Sequence, residues 1–268
     1  MKDKVVIVTG ASSGIGKATA LYFAKKGSNV VLAARSEGKL KAVEEEISKE
    51  GGSCLSVPCD VSKPSDCENL ISKTVEKFKK IDVLINNAGI SMRAIFNETD
   101  LSVIREVMDI NFFGMVNCTK YALPYILKNK GSVVGVSSIA GYVGLPARTG
   151  YSASKYAMHG FLDALRIENI EKGLHVLVAC PGFTASNIRT SALTADGTAQ
   201  GESPRSEAKM MQPGEVATDI YKSIVNRDQS LVLTSEGKLA VFLSKWAPKF
   251  LQRMVFREMK KEPDSPLK

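Results

Sequence analysis

Val5-Val-Ile-Val8 passes without a break into Thr9-Gly-Ala-Ser-Ser-Gly-Ile-Gly16. Four β-branched apolar residues in a row read as a strand buried on both faces. Gly10, Gly14 and Gly16 then allow a tight turn, a close backbone approach and close packing of the helix that follows. Ser12, Ser13 and Ile15 fill the turn, and the free N–H groups at a helix start face whatever anion sits there. A glycine triplet alone is an ordinary turn; between a strand and a helix it points to a pyrophosphate-binding α/β fold.

The same beat recurs along the chain. Strands are predicted at Val5–Thr9, Asn29–Ala34, Cys54–Cys59, Asp82–Ile85, Ser132–Val136, Leu174–Ala179 and Ser230–Leu233. Helices are predicted at Ile15–Lys26, from a Ser36 cap to Glu50, at Pro64–Lys79, from an Asp100 cap through the 120s, at Ser152–Lys172 and at Pro213–Asn226. Pro124 should bend or divide the long helix of the 120s. Only 7% of residues are aromatic, so the core must be built from Val, Ile, Leu and Ala. Alternating strands and helices of this kind predict a single Rossmann-like, doubly wound α/β domain with right-handed crossovers. Ligands of such sheets lie outside the carboxyl ends of the strands, where polar or glycine residues gather here.

Residues 1–237 are read as the dinucleotide-binding and catalytic domain, with a long aperiodic substrate loop at 183–212. Residues 238–268 are read as a basic, amphipathic extension of the same domain, with two helices around Pro248. This tail holds eight basic and three acidic residues. It suits peripheral contact with a membrane, a lip on an apolar pocket, or docking on the domain or a partner subunit. No run of apolar residues reaches the roughly 18 needed to cross a bilayer, and the N-terminus lacks a signal-peptide pattern. Five cysteines without a CxxC and only two histidines suit a reducing compartment and give no metal site. The expectation is a cytoplasmic protein, loosely associated at most with a membrane surface. The charge of +8 is dispersed among acids, which argues against nucleic acid as a partner.

Tyr151 and Lys155 stand one helical turn apart, so a phenol and an ammonium share one helix face. The cation is expected to lower the phenol pKa and fit it for proton transfer. Ser138 ends the preceding strand and is placed to hydrogen-bond a substrate oxygen. The second strand ends in Arg35 with no acid before Glu37. A forked cation there suits a ribose 2′-phosphate, which predicts NADP(H) over NAD(H). His159 and His175 are read as structural.

Taken in order, Thr9–Gly16, Asp60-Val61, Asn86-Asn87-Ala88-Gly89, Asn111, Ser138, Tyr151-x-x-x-Lys155 and Pro181-Gly182 resemble the short-chain dehydrogenase/reductase family over almost the whole chain. The resemblance implies a sheet of about seven parallel strands and a homodimer or homotetramer. It implies Ser138, Tyr151 and Lys155 as catalytic residues, with Asn111 helping to hold a water in a proton relay. It places Asp60 and Val61 at the adenine and Asn87, Ala88 and Gly89 beside the cofactor, and gives Lys155 a second role on the nicotinamide ribose. After the sixth strand the family often has Pro-Gly-x-Val-x-Thr; here Thr184 stands at the valine position and Ser186 at the threonine position.

The reaction implied is NADP(H)-dependent interconversion of a carbonyl and an alcohol. The apolar character of Gly141–Leu145 favours a lipophilic ketone, such as a steroid or long-chain substrate. The alternatives are a 3-oxoacyl thioester or small-carbonyl reductase, and a nonenzymatic NADP(H)-binding redox sensor or scaffold.

Overall fold

The strands form at β1 (Val5–Thr9), β2 (Asn29–Ala34), β3 (Cys54–Pro58), β4 (Val83–Asn86), β5 (Ser132–Val136), β6 (His175–Cys180) and β7 (Ser230–Val232). All pair in parallel, in the order β3-β2-β1-β4-β5-β6-β7. The structure, a computed structural model, describes residues 1–202 and 210–268. Part of the expected 183–212 loop therefore lies outside the described residues.

The helices are α1 (Gly14–Lys25), α2 (Glu37–Lys49), α3 (Pro64–Phe78), α4 (Leu101–Met108), α5 (Gly114–Lys128), α6 (Thr149–Glu168), α7 (Pro213–Asn226), α8 (Ser235–Trp246) and α9 (Pro248–Lys260). Alternate strand residues feed two cores. Val5, Ile7, Val31, Ala33 and Val57 pack toward Leu70, Met115, Met158 and Leu162 of α3, α5 and α6. Val6, Val8, Val30 and Leu32 pack toward Phe23, Leu40, Val43, Val216 and Ile220 of α1, α2 and α7. Burial on both faces explains why β1 reads as an unbroken apolar run instead of an alternating one.

Three local expectations are corrected. The long helix is not divided at Pro124, which lies inside α5. Proline removes the donor to the carbonyl of Lys120, and Lys120 is exposed, so water can replace that donor. The interruption falls instead at a π turn, Asp109–Phe113, between α4 and α5. Next, α6 begins at Thr149, not Ser152, so Tyr151 is already within its first turn. Finally, Ser36 and Asp100 precede their helices without making side-chain caps.

Candidate active site

The sheet order reverses direction at β1, whose neighbours are β2 and β4. A doubly wound sheet leaves a crevice at this point, above the carboxyl strand ends. The cleft there holds about 330 Å³. Gly10, Ser12, Ser13, Gly14 and Ile15 line it from the β1 turn, Arg35, Ser36 and Lys39 from the β2 end, and Asp60 and Val61 from the β3 end. Asn87, Ala88, Gly89 and Ile90 complete the wall after β4, and Ser186, Asn187, Ile188 and Ser191 close it from the loop after β6.

Two glycines make the turn possible. Gly10 has φ +67°, and a Cβ there would lie 2.9 Å from the Cα of Ala88. Gly16 stands behind the cleft wall, where a Cβ would run into the carbonyl of Gly10 and the Asn87 amide. Thr9 ties the turn to β4: its Oγ1 accepts from the N–H groups of Asn87 and Ala88, both at 3.0 Å. Asn87 Nδ2 donates to the Thr9 carbonyl at 2.9 Å. No side chain caps the start of α1, so its first N–H groups are left to a ligand in the cleft. Arg35 and Lys39 are the cations of the wall and Asp60 is its one acid, with Oδ1 already accepting from the Ser62 N–H and hydroxyl. Uncapped amides and two cations fit the phosphates of a dinucleotide.

The reactive side chains lie just beyond Gly89. A Cβ on Gly89 would sit 3.1 Å from Asn111 Oδ1 and 3.8 Å from Lys155 Nζ, so this glycine is the spacer between the cleft and both side chains. Lys155 is buried; its Nζ donates to the Val136 carbonyl at 3.0 Å and lies 5.7 Å from the centre of the Tyr151 ring. Burial brings its pKa down to about 8. Asn111, in the π turn, accepts from the Ile90 N–H at 2.8 Å and donates to the Ile90 carbonyl at 2.9 Å and to Ser154 Oγ at 3.0 Å. Ser138 is in extended backbone before a short 3-10 turn, and its Oγ accepts from the Ala140 N–H at 3.2 Å.

The expected lowering of the Tyr151 pKa by Lys155 is corrected. Burial raises it, and this outweighs the opposing pull of the Ser138 hydroxyl and the Arg148 charge. The ammonium turns toward the Val136 carbonyl, not the phenol oxygen, and is itself less basic than usual.

Pro181, Gly182 and Thr184 do not line the cleft. Thr184 is buried, its Oγ1 donating to the Gly182 carbonyl at 3.0 Å, and it shapes the loop that brings Ser186 opposite Gly14. Arg189 Nη2 donates to the Thr184 carbonyl at 3.0 Å. The described part of the loop is held down by its backbone: Leu193 N–H donates to the Ser91 carbonyl at 2.9 Å and Arg93 N–H to the Leu193 carbonyl at 2.8 Å. His175 Nε2 donates to the Asp228 carbonyl at 2.8 Å, so its Nδ1 is the acceptor for the Ser132 hydroxyl at 3.0 Å. His159 bonds Ser137 Oγ at 2.8 Å and packs edge-on against Tyr142. Both histidines have packing and hydrogen-bonding roles, as expected.

Sequence reasoning missed Ala34, Ser36, Cys59, Ile90, Ile110, Asn187, Ile188 and Ser191 on the cleft wall. Ile90 was within reach, as the next residue after Asn86–Gly89. Asn187–Ser191 has no periodicity or turn signature to betray its position.

Comparison with known proteins agrees with this geometry. Residues 4–197 match the family described as short chain dehydrogenase. The chain is 36% identical to dehydrogenase/reductase SDR family member 7B of Danio rerio, over 97% of this chain and 87% of the relative. Its counterpart in Mus musculus is 35% identical over 99% and 84%, respectively. Among solved structures, an alcohol dehydrogenase from the archaeon Thermococcus sibiricus, complexed with 5-hydroxy-NADP, superposes with a TM-score of 0.77 at 25% identity, covering 87% of this chain and 96% of that one. The family matches place this seven-stranded Rossmann-like domain among the oxidoreductases. The chain belongs to the short-chain dehydrogenase/reductase family.

Proposed function

We propose that the chain is an NADP(H)-dependent reductase of ketones or aldehydes, able to run in reverse as an alcohol dehydrogenase. The observation that supports this reading is that Gly89, on the wall of a phosphate-fitting cleft, lies beside Asn111 and Lys155, with Lys155 Nζ 5.7 Å from the centre of the Tyr151 ring. The solved relative complexed with 5-hydroxy-NADP supports the choice of cofactor. In this reading Gly10, Ser12, Ser13, Gly14, Ile15 and Gly16 receive the pyrophosphate, Arg35 a 2′-phosphate, and Asp60 and Val61 the adenine. Asn87, Ala88, Gly89, Pro181, Gly182, Thr184 and Ser186 border or shape the nicotinamide end, and Lys155 bonds the ribose.

Bound NADPH supplies a hydride for the carbonyl carbon. Ser138 Oγ donates a hydrogen bond to the substrate oxygen, and Tyr151 Oη gives that oxygen its proton. Burial keeps the Tyr151 phenol protonated at neutral pH, which suits the reductive direction. In this reading Lys155, with Asn111 helping to hold a water, serves the route by which the phenol is reprotonated. The apolar Gly141–Leu145 segment just after Ser138 supports a lipophilic substrate, such as a steroid or long-chain ketone. The test is NADPH consumption over a panel from small aldehydes to sterols and long-chain 3-ketones. Cofactor binding with no turnover of any member would overturn the reading and leave a redox sensor.

Arg35→Ala is expected to reduce the preference for NADPH over NADH in direct binding by about tenfold or more, because a bidentate charged contact is lost. An unchanged ratio would show that Arg35 does not meet the 2′-phosphate.

We extend the proposal to the tail and the assembly. Among the described residues no helix is long and apolar enough to cross a membrane. Phe242, Trp246, Phe250 and Phe256 are nevertheless exposed on α8 and α9, on the same helix pair as Arg253, Arg257 and Lys260. This suits a cytoplasmic enzyme resting on an anionic membrane surface. Trp246 is the only tryptophan. Its emission should shift to the blue with vesicles containing phosphatidylserine, less so with pure phosphatidylcholine, and not at all if the helices face a partner subunit. The homodimer or homotetramer is part of the same proposal, with Ile167 and Ile170 supplying exposed apolar surface at the end of α6.

A further inference from the structure

Two arginines from separate segments meet one carboxylate beside the reaction centre. Arg93 follows β4, Arg148 stands three residues before Tyr151, and Glu262 lies beyond α9. Arg148 Nη2 is 3.2 Å from Glu262 Oε2, and Arg93 Nη2 is 3.7 Å from the same oxygen. The side chains of Arg148, Arg93 and Glu262 are 13%, 9% and 4% exposed, respectively. Arg93 Nη2 also donates to the Pro263 carbonyl at 2.7 Å, while Arg93 Nε is buried without a hydrogen-bond partner. Backbone pairing holds the two arginine segments together, with the Ala94 N–H donating to the Ala147 carbonyl at 3.0 Å. Met92, the neighbour of Arg93, packs against Tyr151. Arg148 immediately precedes α6 and its charge reaches the Tyr151 phenol, so the arginine pair stands beside the reaction centre.

A buried guanidinium needs an acceptor, and two converging on one point make a receiver for a carboxylate or phosphate. Here that acceptor comes from the C-terminal tail, joined to the domain through α8 and α9. A carboxylate buried only to hold a tail in place is a poor source of stability, since desolvation offsets much of the attraction. A carboxylate that fills a receptor for anions has a consequence for selectivity.

We propose that Arg93 and Arg148 form an anion subsite at the substrate mouth and that Glu262 occupies it, so that the chain selects neutral carbonyl substrates over anionic ones. The proposal rests on the carbonyl-reductase reading and adds a specificity residue to it. Glu262 acts by charge and occupancy, without touching the reacting atoms.

The test is calorimetric titration of 4-acetylbenzoate and of its methyl ester into the full chain loaded with NADP⁺, which cannot reduce either ketone. Glu262→Gln removes the charge at constant size, and Glu262→Ala also opens space. Either variant is expected to shift the affinity ratio about tenfold or more toward the carboxylate, with the ester changed less than about threefold. Adding Arg93→Gln to Glu262→Ala should return the ratio toward wild type. A ratio within about twofold of wild type in both Glu262 variants overturns the proposal, as does equal weakening of both ligands, which would show a merely structural latch. Because the ratio is read without turnover, a wild-type chain that reduces no ketone would refute the reductase reading and leave this measurement to judge the subsite separately.

Discussion

Tyr151→Phe is expected to lower kcat/KM for carbonyl reduction by roughly 10²–10⁴-fold, the range for removal of a positioned general acid. The phenyl ring keeps the packing against Met92, Val103 and Val107, so NADPH affinity should stay within about twofold of wild type. The raised Tyr151 pKa also sets the pH behaviour. Reduction needs the phenol protonated and should hold steady through neutral pH, declining only in alkali. Alcohol oxidation needs the phenolate, which burial opposes, and should rise as pH increases past neutrality. Steady-state rates in both directions, from pH 6 to 10, check this. A variant retaining more than about a tenth of the wild-type rate would remove Tyr151 from the proton transfer.

The stability of the fold should depend on pH through Lys155. Its pKa in the folded chain is brought down to about 8 by burial, against an ordinary value of 10.5. Below the folded value both states carry the proton, and the folded state bears the full penalty of a buried ammonium. Between the two values the unfolded chain binds more protons, so stability rises with pH. Above the unfolded value the penalty is gone. Relative to Lys155→Met, wild type should gain about 2 kcal/mol of unfolding free energy between pH 7 and 9.5, and about 3 kcal/mol in all. Urea unfolding of both proteins across that range measures the difference, and titrations shared by the two chains cancel. A difference that is flat with pH would mean that the ammonium is solvated. The penalty fits a residue kept for chemistry and not for stability.

In the proposed roles, Glu262 and Arg35 bear on selection more than on rate. One concerns which substrates reach Tyr151, the other which dinucleotide fills the cleft. Both are read as ratios, so a general loss of folded protein does not imitate either effect.

The sequence by itself determined the alternation of strands and helices, the glycine turn after β1 and the helical spacing of Tyr151 and Lys155. Each is a local pattern, set by backbone geometry within a few residues: a buried parallel strand reads as an apolar run, a backbone at φ +67° calls for glycine, and one helical turn brings i and i+4 together. The boundaries of β2, β5 and α7 were legible to the residue for the same reason. Only the tertiary structure decided the π turn at Asn111, the raised pKa of Tyr151, the closure of Asn187–Ser191 over the cleft and the burial of Glu262 against Arg93 and Arg148. Glu262 lies 114 residues from Arg148. No local pattern connects charges so far apart, and the direction of a pKa shift depends on what surrounds a group once water has been excluded.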